Sequence, residues 1–345
     1  MKTTIKDVAN EAGVSIATVS RVLNNKDRVK SSTRKKIEEV ILKLNFNPDQ
    51  IARTMINKET TTIGLLVPNL TNEFWAAVSE NVQDELWKEG YTTLLCATST
   101  WEDPAKREEA FFKNFIQRKV DGVIYATLTD FHQNNYHPGI KELINAGIPV
   151  VTYDQNIPGV SKVRGAHLQG ALTAVEHLIT LGHEKIAYIG GPLFSPDREL
   201  GFRNAHTINR LEVDESLIKR GSPTFEFGDK AMDELLQLNK KFTAVFCGND
   251  MIALGAMQRL HNAGITVPEE MAIVGYDDIQ MSRLIKPALT TVQQPIREMS
   301  ATIVKLLINL INNKDVDMPP PNLMFDMKLI VRESCGAKLL AKGKK

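Results

Sequence analysis

Apolar side chains near the start of the chain recur with the three-to-four-residue period of short amphipathic helices. The pattern predicts one helix over Ile5–Ala12 and a second from Ile16 to about residue 24. Gly13 lies between them, where a residue free to adopt positive φ allows a sharp turn. A third helix is predicted from about Ser32 to Leu44, and the three apolar faces would form a small core within residues 1–46.

The first two helices have capping residues at their first turns. Thr4 can cap the first helix, with Asp7 closing a capping box, and Ser15 can cap the second. The polar face of the second helix presents Arg21 among small side chains, which suits phosphate contacts and donation to guanine O6 and N7 in a major groove. The residues predicted to contact DNA in this segment are Thr4, Ser15, Ile16, Ala17, Thr18, Ser20, Arg21 and Asn24.

The charge of the chain is unevenly distributed. Residues 1–60 contain 12 Lys and Arg against 7 Asp and Glu, a net charge of +5, whereas the remaining residues contain 30 against 34, a net charge of −4. A near-neutral total of +1 therefore combines a basic head with a mildly acidic body. Binding to a phosphate backbone requires such a local excess of positive charge.

The segment 47–60 joins the head to the body. Pro48 is a typical first-turn residue, and residues 49–57 could form a short helix that is marginal alone and orders on a partner. Ala52 and Met55 would lie on its apolar stripe, which could pair with a second copy and insert a side chain into a minor groove. A plain interdomain linker is the alternative.

From residue 61 onward, short β-branched runs alternate with helical patterns. This alternation predicts βαβ units and parallel sheets that are buried on both faces. The predicted strands are Ile63–Val67, Thr93–Ala97, Gly122–Ala126 and Pro149–Tyr153 in a first series, and Lys185–Ile189, Ala244–Cys247 and Ala272–Tyr276 in a second. We therefore predict an α/β body of two doubly wound halves behind an all-α helix-turn-helix head.

Motifs along most of the chain resemble those of the lactose/galactose repressor family of bacterial transcription regulators. In the head these are Ile5-Lys6-Asp7-Val8-Ala9, Ala12-Gly13-Val14-Ser15, Thr18-Val19-Ser20-Arg21-Val22, Thr33-Arg34 and Ala52-Arg53. In the body they are Leu181-Gly182-His183, Gly191-Pro192, Asn249-Asp250, Ala253-Leu254-Gly255 and Gly275-Tyr276-Asp277-Asp278. The resemblance implies a periplasmic-binding-protein-like body and control of transcription.

The resemblance also implies that the chain crosses between the two halves three times, near Ser161, near Gln293 and near Pro319-Pro320-Pro321. The expected domains are a head over residues 1–46, a hinge over 47–60 and an effector-binding and dimerisation body over 61–335. Within the body, the first subdomain would comprise 61–161 and 293–321, and the second 162–292 and 322–335. Residues 336–345 would be a basic tail.

A homodimer is expected to read a pseudo-palindromic operator, because two-fold protein symmetry requires two-fold DNA. The resemblance implies that paired hinge helices enter the minor groove at a central CG step. The tail has too few apolar positions for a tetramerising helical bundle, so dimerisation would come from the body. Its expected surface includes the helices predicted over Phe74–Glu89 and Pro104–Arg118.

Polar and aromatic residues that follow the predicted strands are candidates for an effector site. Ligands of open parallel sheets bind beyond the carboxyl ends of the strands, and two such edges would face each other here. Carboxylates, amides and an arginine can bind hydroxyl groups while an aromatic face covers a sugar ring. The candidates, weighted by the family pattern, are Asn72, Phe74, Trp75, Asp154, Arg198, Phe225, Asn249, Asp277 and Gln294. Several could instead serve only as helix caps.

The sequence departs from the family at several positions. His167-Leu168 stands where most relatives have Asp-Asn, Gln155 stands where related ribose binders have arginine, and Met55 stands where the family usually has leucine. Ile16 and Ala17, at the start of the recognition helix, suit thymine methyl groups. A pentose, a hexose, a sugar phosphate, a nucleobase and a protein corepressor all remain open as effectors, as do repression and activation.

No enzyme motif accompanies this pattern. The sequence contains no Gly-x-Ser-x-Gly, no phosphate-binding Gly-rich lysine loop and no His-Glu-x-x-His. Neither a cofactor nor a metal is expected, because Cys96, Cys247 and Cys335 are far apart and lack metal-ligand spacing. The absence of an apolar leader or a membrane-spanning run leads us to expect a cytoplasmic protein with no membrane partner.

Overall fold

The computed structural model describes residues 3–23, 29–46, 60–98, 104–127, 138–191, 196–313 and 319–337. The predictions for Asn24, Ala52, Met55 and the hinge helix lie outside the described residues. The chain divides into two compact units, Met1–Thr60 and Thr61–Lys345. Within the described ranges, no helix is both long and apolar enough to cross a membrane.

The described residues of the head form three helices: α1 (Ile5–Ala12), α2 (Ile16–Leu23) and α3 (Ser31–Lys43). The Asp7 carboxylate accepts hydrogen bonds from the Thr4 backbone N–H at 2.8 Å and from the Thr4 hydroxyl at 2.7 Å. Gly13 has φ 65°, and the Ser15 hydroxyl accepts a bond from the Thr18 N–H at 3.2 Å. These contacts confirm the expected start of both helices and the turn between them.

The body begins with alternating strands and helices. They are β1 (Thr62–Val67), α4 (Glu73–Lys88), β2 (Thr92–Ala97), α5 (Pro104–Arg118), β3 (Gly122–Tyr125), α6 (Pro138–Asn145), β4 (Val150–Tyr153) and β5 (Ser161–Gly165). These strands form one parallel sheet, in which β11 (Asn322–Phe325) also lies, in the order β11-β5-β4-β3-β1-β2.

The second series repeats the plan. It comprises α7 (His167–Thr180), β6 (Ile186–Gly190), α8 (Pro196–Ile208), a 3₁₀ turn (Glu215–Leu217), β7 (Ile218–Arg220), α9 (Phe225–Gln237), β8 (Ala244–Cys247), α10 (Asp250–Asn262), β9 (Ala272–Asp277), α11 (Gln280–Leu284) and β10 (Thr290–Gln293). After α12 (Ile296–Asn312), which packs on the first sheet, β11 and β12 (Lys328–Ile330) follow. The second sheet has the order β12-β10-β9-β8-β6-β7, and β12 is antiparallel to β10.

Two of the expected subdomain boundaries need correction. We expected the chain to cross near Ser161 and near Pro319–Pro321, but β5 and β11 both belong to the first sheet. These strands pair with each other, with Asn322 opposite Lys162 and Phe325 opposite Gly165. The first subdomain therefore extends to Gly165 and Phe325, because backbone pairing continues past the predicted crossings.

The C-terminal segment contributes to the second subdomain. The Ser334 hydroxyl accepts a hydrogen bond from the Thr290 N–H at 2.8 Å and donates one to the Ile273 carbonyl at 2.7 Å. Ala337 packs against the hydrophobic core of this subdomain. The body thus includes at least the first two residues of the segment predicted to be a basic tail.

Candidate functional site

The candidate site lies at the carboxyl ends of strands from both sheets. Asp154 follows β4, and Asp277 ends β9. Their φ angles are 62° and 113°, in a region that residues with a side chain rarely adopt. Such backbone conformations persist only where the surrounding structure holds them, and they concentrate at binding sites.

Two of the predicted residues, Arg198 and Gln294, contact the carboxylate of a third, Asp277. Arg198, on α8, places its Nη1 3.4 Å from Asp277 Oδ1 and donates a hydrogen bond to the Gly248 carbonyl. The Gln294 amide donates to the same Asp277 oxygen at 2.7 Å. Burial raises the pKa of Asp277, and the positive charge of Arg198 offsets part of that rise. We call Arg198, Asp277 and Gln294 the polar cluster.

The polar cluster contains two buried atoms without a hydrogen-bond partner among the described residues. These are Arg198 Nε, a donor, and Gln294 Oε1, an acceptor. A buried polar atom left unsatisfied costs about 1–3 kcal/mol. A hydroxyl group is a chemical type that can pair with either atom, because it both donates and accepts.

A residue not among the predicted effector-binding residues, His167, joins Asp154 to the second subdomain. The ring Nε2 lies 3.0 Å from Asp154 Oδ1, and Nδ1 lies 3.0 Å from the Tyr276 hydroxyl. Burial would raise the pKa of Asp154, but the contact with His167 and the hydrogen bond from the Gly165 N–H bring it below its usual value. The sequence analysis identified His167 only as a departure from the family pattern. The structure places it at the start of α7.

Asn249 and its neighbour Asp250 are engaged within the protein. The Asn249 side chain accepts a bond from the Ile252 N–H at 2.8 Å, which caps α10, and donates to the Pro223 carbonyl at 3.2 Å. Asp250 is fully buried and accepts bonds from the Thr291 hydroxyl at 2.6 Å and the Ile279 N–H at 3.0 Å. Asp250 therefore holds the segments next to Asp277 and Gln294, whereas Asn249 caps its own helix and holds the loop at Pro223.

The N-terminal candidates also serve the fold. Asn72 caps α4 by accepting a bond from the Phe74 N–H at 3.0 Å. Phe74 and Trp75 are 5% and 7% exposed and pack edge to face, with centroids 4.9 Å apart. Trp75 also meets the Tyr153 ring at 6.0 Å. The two aromatic rings therefore belong to the first hydrophobic core. Phe225, the first residue of α9, is partly buried.

Most of the described residues that were predicted to contact DNA lie on α2 or in the turn before it, whereas Thr4 caps α1. Ile16, Ala17 and Arg21 are exposed, whereas Val19 and Val22 are buried against the other helices of the head. The remaining described candidates, Thr4, Ser15, Thr18 and Ser20, are exposed or partly exposed. The exposed side of α2 therefore combines small side chains with the Arg21 guanidinium.

Comparisons with known proteins match both parts of the chain. A family model described as bacterial regulatory proteins, lacI family, matches residues 4–49, and one described as a periplasmic binding protein-like domain matches residues 175–335. Catabolite control protein A of Priestia megaterium is 34% identical over 92% of this chain and 95% of that protein.

Solved structures show the same similarity. The transcriptional regulator CelR in complex with cellobiose is 30% identical, with a TM-score of 0.71 over 96% of this chain and 99% of that one. A Lac repressor dimer bound to operator and the anti-inducer ONPF is 26% identical, with a TM-score of 0.85 over 97% of this chain and 99% of that one. These relatives are transcription regulators, not enzymes.

Proposed function

The chain belongs to the lacI family of bacterial regulatory proteins and is a DNA-binding transcription regulator, and we propose that it is a repressor controlled by a small hydroxylated effector. It acts as a homodimer on a pseudo-palindromic operator. The regulator is cytoplasmic, where Cys96, Cys247 and Cys335 remain free thiols.

The observation that supports the effector proposal is the polar cluster, in which two buried atoms have no hydrogen-bond partner among the residues that the structure describes. Arg198 Nε offers a donor, whereas Gln294 Oε1 and the Asp277 carboxylate offer acceptors. Neighbouring hydroxyl groups on a sugar ring match such a set, because each hydroxyl can donate to one group and accept from another. The similarity to a cellobiose-bound regulator supports the same ligand class.

A thermal-shift screen of neutral sugars, sugar phosphates and nucleobases with the full chain tests this proposal. A ligand bound only to the native state raises the unfolding midpoint by mass action. We expect at least one neutral sugar to raise the midpoint of the wild-type protein, and we expect Gln294→Leu to remove that rise. Gln258→Leu, on the exposed face of α10, is the matched control and should respond like the wild type. Failure of every neutral sugar to raise the wild-type midpoint would contradict the proposal.

In the proposed DNA complex, α2 lies in the major groove and the paired hinge segments, with Ala52 and Met55, enter the minor groove. Effector binding changes the relation between the two body subdomains and so the ordering of the hinge segments. Because such coupling is reciprocal, operator DNA must change effector affinity by the same factor. The dimer forms through the body, with α4 and α5 as the proposed contact helices.

Arg21→Ala is expected to weaken binding to the specific operator by about 1–3 kcal/mol, the usual value of a good guanidinium–guanine contact. Fluorescence anisotropy at fixed salt measures the change. Lys43→Ala, at the end of α3, removes an equal charge outside α2 and controls for loss of phosphate attraction. Equal operator affinities for Arg21→Ala and the wild type would remove Arg21 from the interface.

A further inference from the structure

His167 lies just beyond the point where the chain first crosses between the two subdomains. The crossing follows Gly165, the last residue of β5, and His167 is the first residue of α7. Its two ring nitrogens face opposite subdomains, with Asp154 at the edge of the first sheet and Tyr276 in the second. One side chain thus makes a polar contact with each half of the body.

Two glycines leave the space that this arrangement occupies. A Cβ atom at Gly165 would lie 2.9 Å from Cε1 of the His167 ring, and one at Gly170 would lie 2.8 Å from the Tyr276 hydroxyl. Met327, on the third crossing segment, packs against both glycine positions. The ring and the hydroxyl therefore fill a space that is enclosed by two of the three crossings.

The hydrogen-bond partners fix the role of one ring nitrogen. The Asp154 carboxylate only accepts hydrogen bonds, so Nε2 of His167 carries a proton and donates. The Tyr276 hydroxyl can donate to Nδ1 or accept from it, so this second contact forms with either protonation of Nδ1. Both ring nitrogens are therefore engaged at once.

The contacts continue into the effector site. The Arg198 guanidinium lies over the Tyr276 ring, with its Cζ 3.8 Å from the ring centroid. Asp277, which follows Tyr276 in the chain, faces the same guanidinium. These contacts therefore link His167 to Tyr276, to Arg198 and from there to Asp277.

We propose that His167 is a positioning residue that ties Asp154 of the first subdomain to Tyr276 of the second and thereby holds the ring on which Arg198 stacks. The proposal rests on the proposed function in assigning Arg198 to effector binding, but the link itself exists without effector. Opening of the body at the crossings would break the bond on one side of the ring. His167 thus couples the geometry of the crossings between the two subdomains to that of the polar cluster.

A double-mutant cycle in the full chain tests the link. Asp154→Ala and Tyr276→Phe each remove one bond to the ring, and their shifts in urea midpoint should be non-additive in the wild-type background, because both act through His167. In a His167→Ala background the two shifts should simply add. A His183→Ala background is the matched control, since His183 bonds Thr243 within one subdomain, and non-additivity should persist there. Additive shifts in the wild type, or non-additive shifts without His167, would overturn the proposal.

Nitrogen NMR of the full chain labelled with ¹⁵N-histidine gives a second, independent readout. We expect His167, assigned by its loss in His167→Gln, to show a protonated Nε2, with the Nδ1 signal shifting in Tyr276→Phe and the Nε2 signal in Asp154→Ala. An Nδ1–H tautomer in the wild-type protein would overturn the proposal even if the variants fail to fold. Neither measurement uses an effector, so failure here and failure of the thermal-shift screen are separate results.

Discussion

Arg198→Ala is expected to abolish the effector response while leaving effector-free operator binding at wild-type strength. The guanidinium is buried, faces Asp277 and has one donor, Nε, for which the described residues supply no partner, so its loss removes a charged hydrogen-bond partner from the proposed site. The substitution also removes the guanidinium charge that faces the buried Asp277 carboxylate, which should lower the free energy of unfolding of the body by about 3–5 kcal/mol. Operator anisotropy with and without the sugar found in the screen, and urea unfolding, measure the two effects.

Arg203→Ala is the control for this experiment. Arg203 lies on the same helix, α8, but it bonds Glu199 at 3.0 Å and Glu215 near the surface. Pairs of this kind contribute about 0–1 kcal/mol, so we expect a normal effector response and little change in stability. If Arg198→Ala responds at the wild-type effector concentration, the polar cluster is not the effector site.

Gly255→Ala is expected to destabilise the second subdomain. A Cβ atom there would lie 2.0 Å from the Phe225 carbonyl oxygen, and one at Gly228 would lie 2.1 Å from the Ile252 carbonyl oxygen. The two glycines thus allow α9 and α10 to pack backbone to backbone. Alanine gains about 1 kcal/mol in helix propensity. Backbone atoms cannot rotate away from the methyl group, however, and overpacking of this kind costs about 1–3 kcal/mol or more.

Urea unfolding of the full chain tests the Gly255→Ala prediction. The midpoint should fall, whereas Gln258→Ala on the exposed face of the same helix should leave it near the wild-type value. An unchanged midpoint for Gly255→Ala would contradict the prediction, because it would show that α9 and α10 move apart with little loss of stability.

The sequence predicted the central strands and the head helices well because their signals are local. Runs such as Ile63–Val67 are apolar, with β-branched residues at both ends, and every residue of this run is buried in a strand. The α1 helix begins and ends at the predicted residues because a capping box and Gly13 define both ends. Periodicity and caps depend on residues only a few positions apart.

The two strands at one end of the first sheet, β5 and β11, were missed for the opposite reason. The β5 strand contains Lys162 and Arg164, and β11 is mostly exposed, so neither has the apolar pattern of a central strand. Each forms because it pairs with the other across more than 150 residues of chain. The crossing points, which depend on this pairing, were therefore placed too early.

Only some residues of the site could be predicted from the sequence. Position after a strand and the family pattern selected Arg198, Asp277 and Gln294, and the structure brings these three together. The same rule also selected Asn72 and Asn249, whose side chains cap helices. The link made by His167 could not be predicted, because one of its partners, Tyr276, lies 109 residues away.

Selection of binding sites from a random duplex DNA library by the full chain tests the central claim most directly. The account predicts enrichment of an inverted repeat, because a homodimer presents two copies of α2 related by a two-fold axis. It also predicts that Arg21→Ala loses preference at the same base pairs in both half-sites. A single asymmetric half-site, or no enrichment above random sequence, would contradict the account.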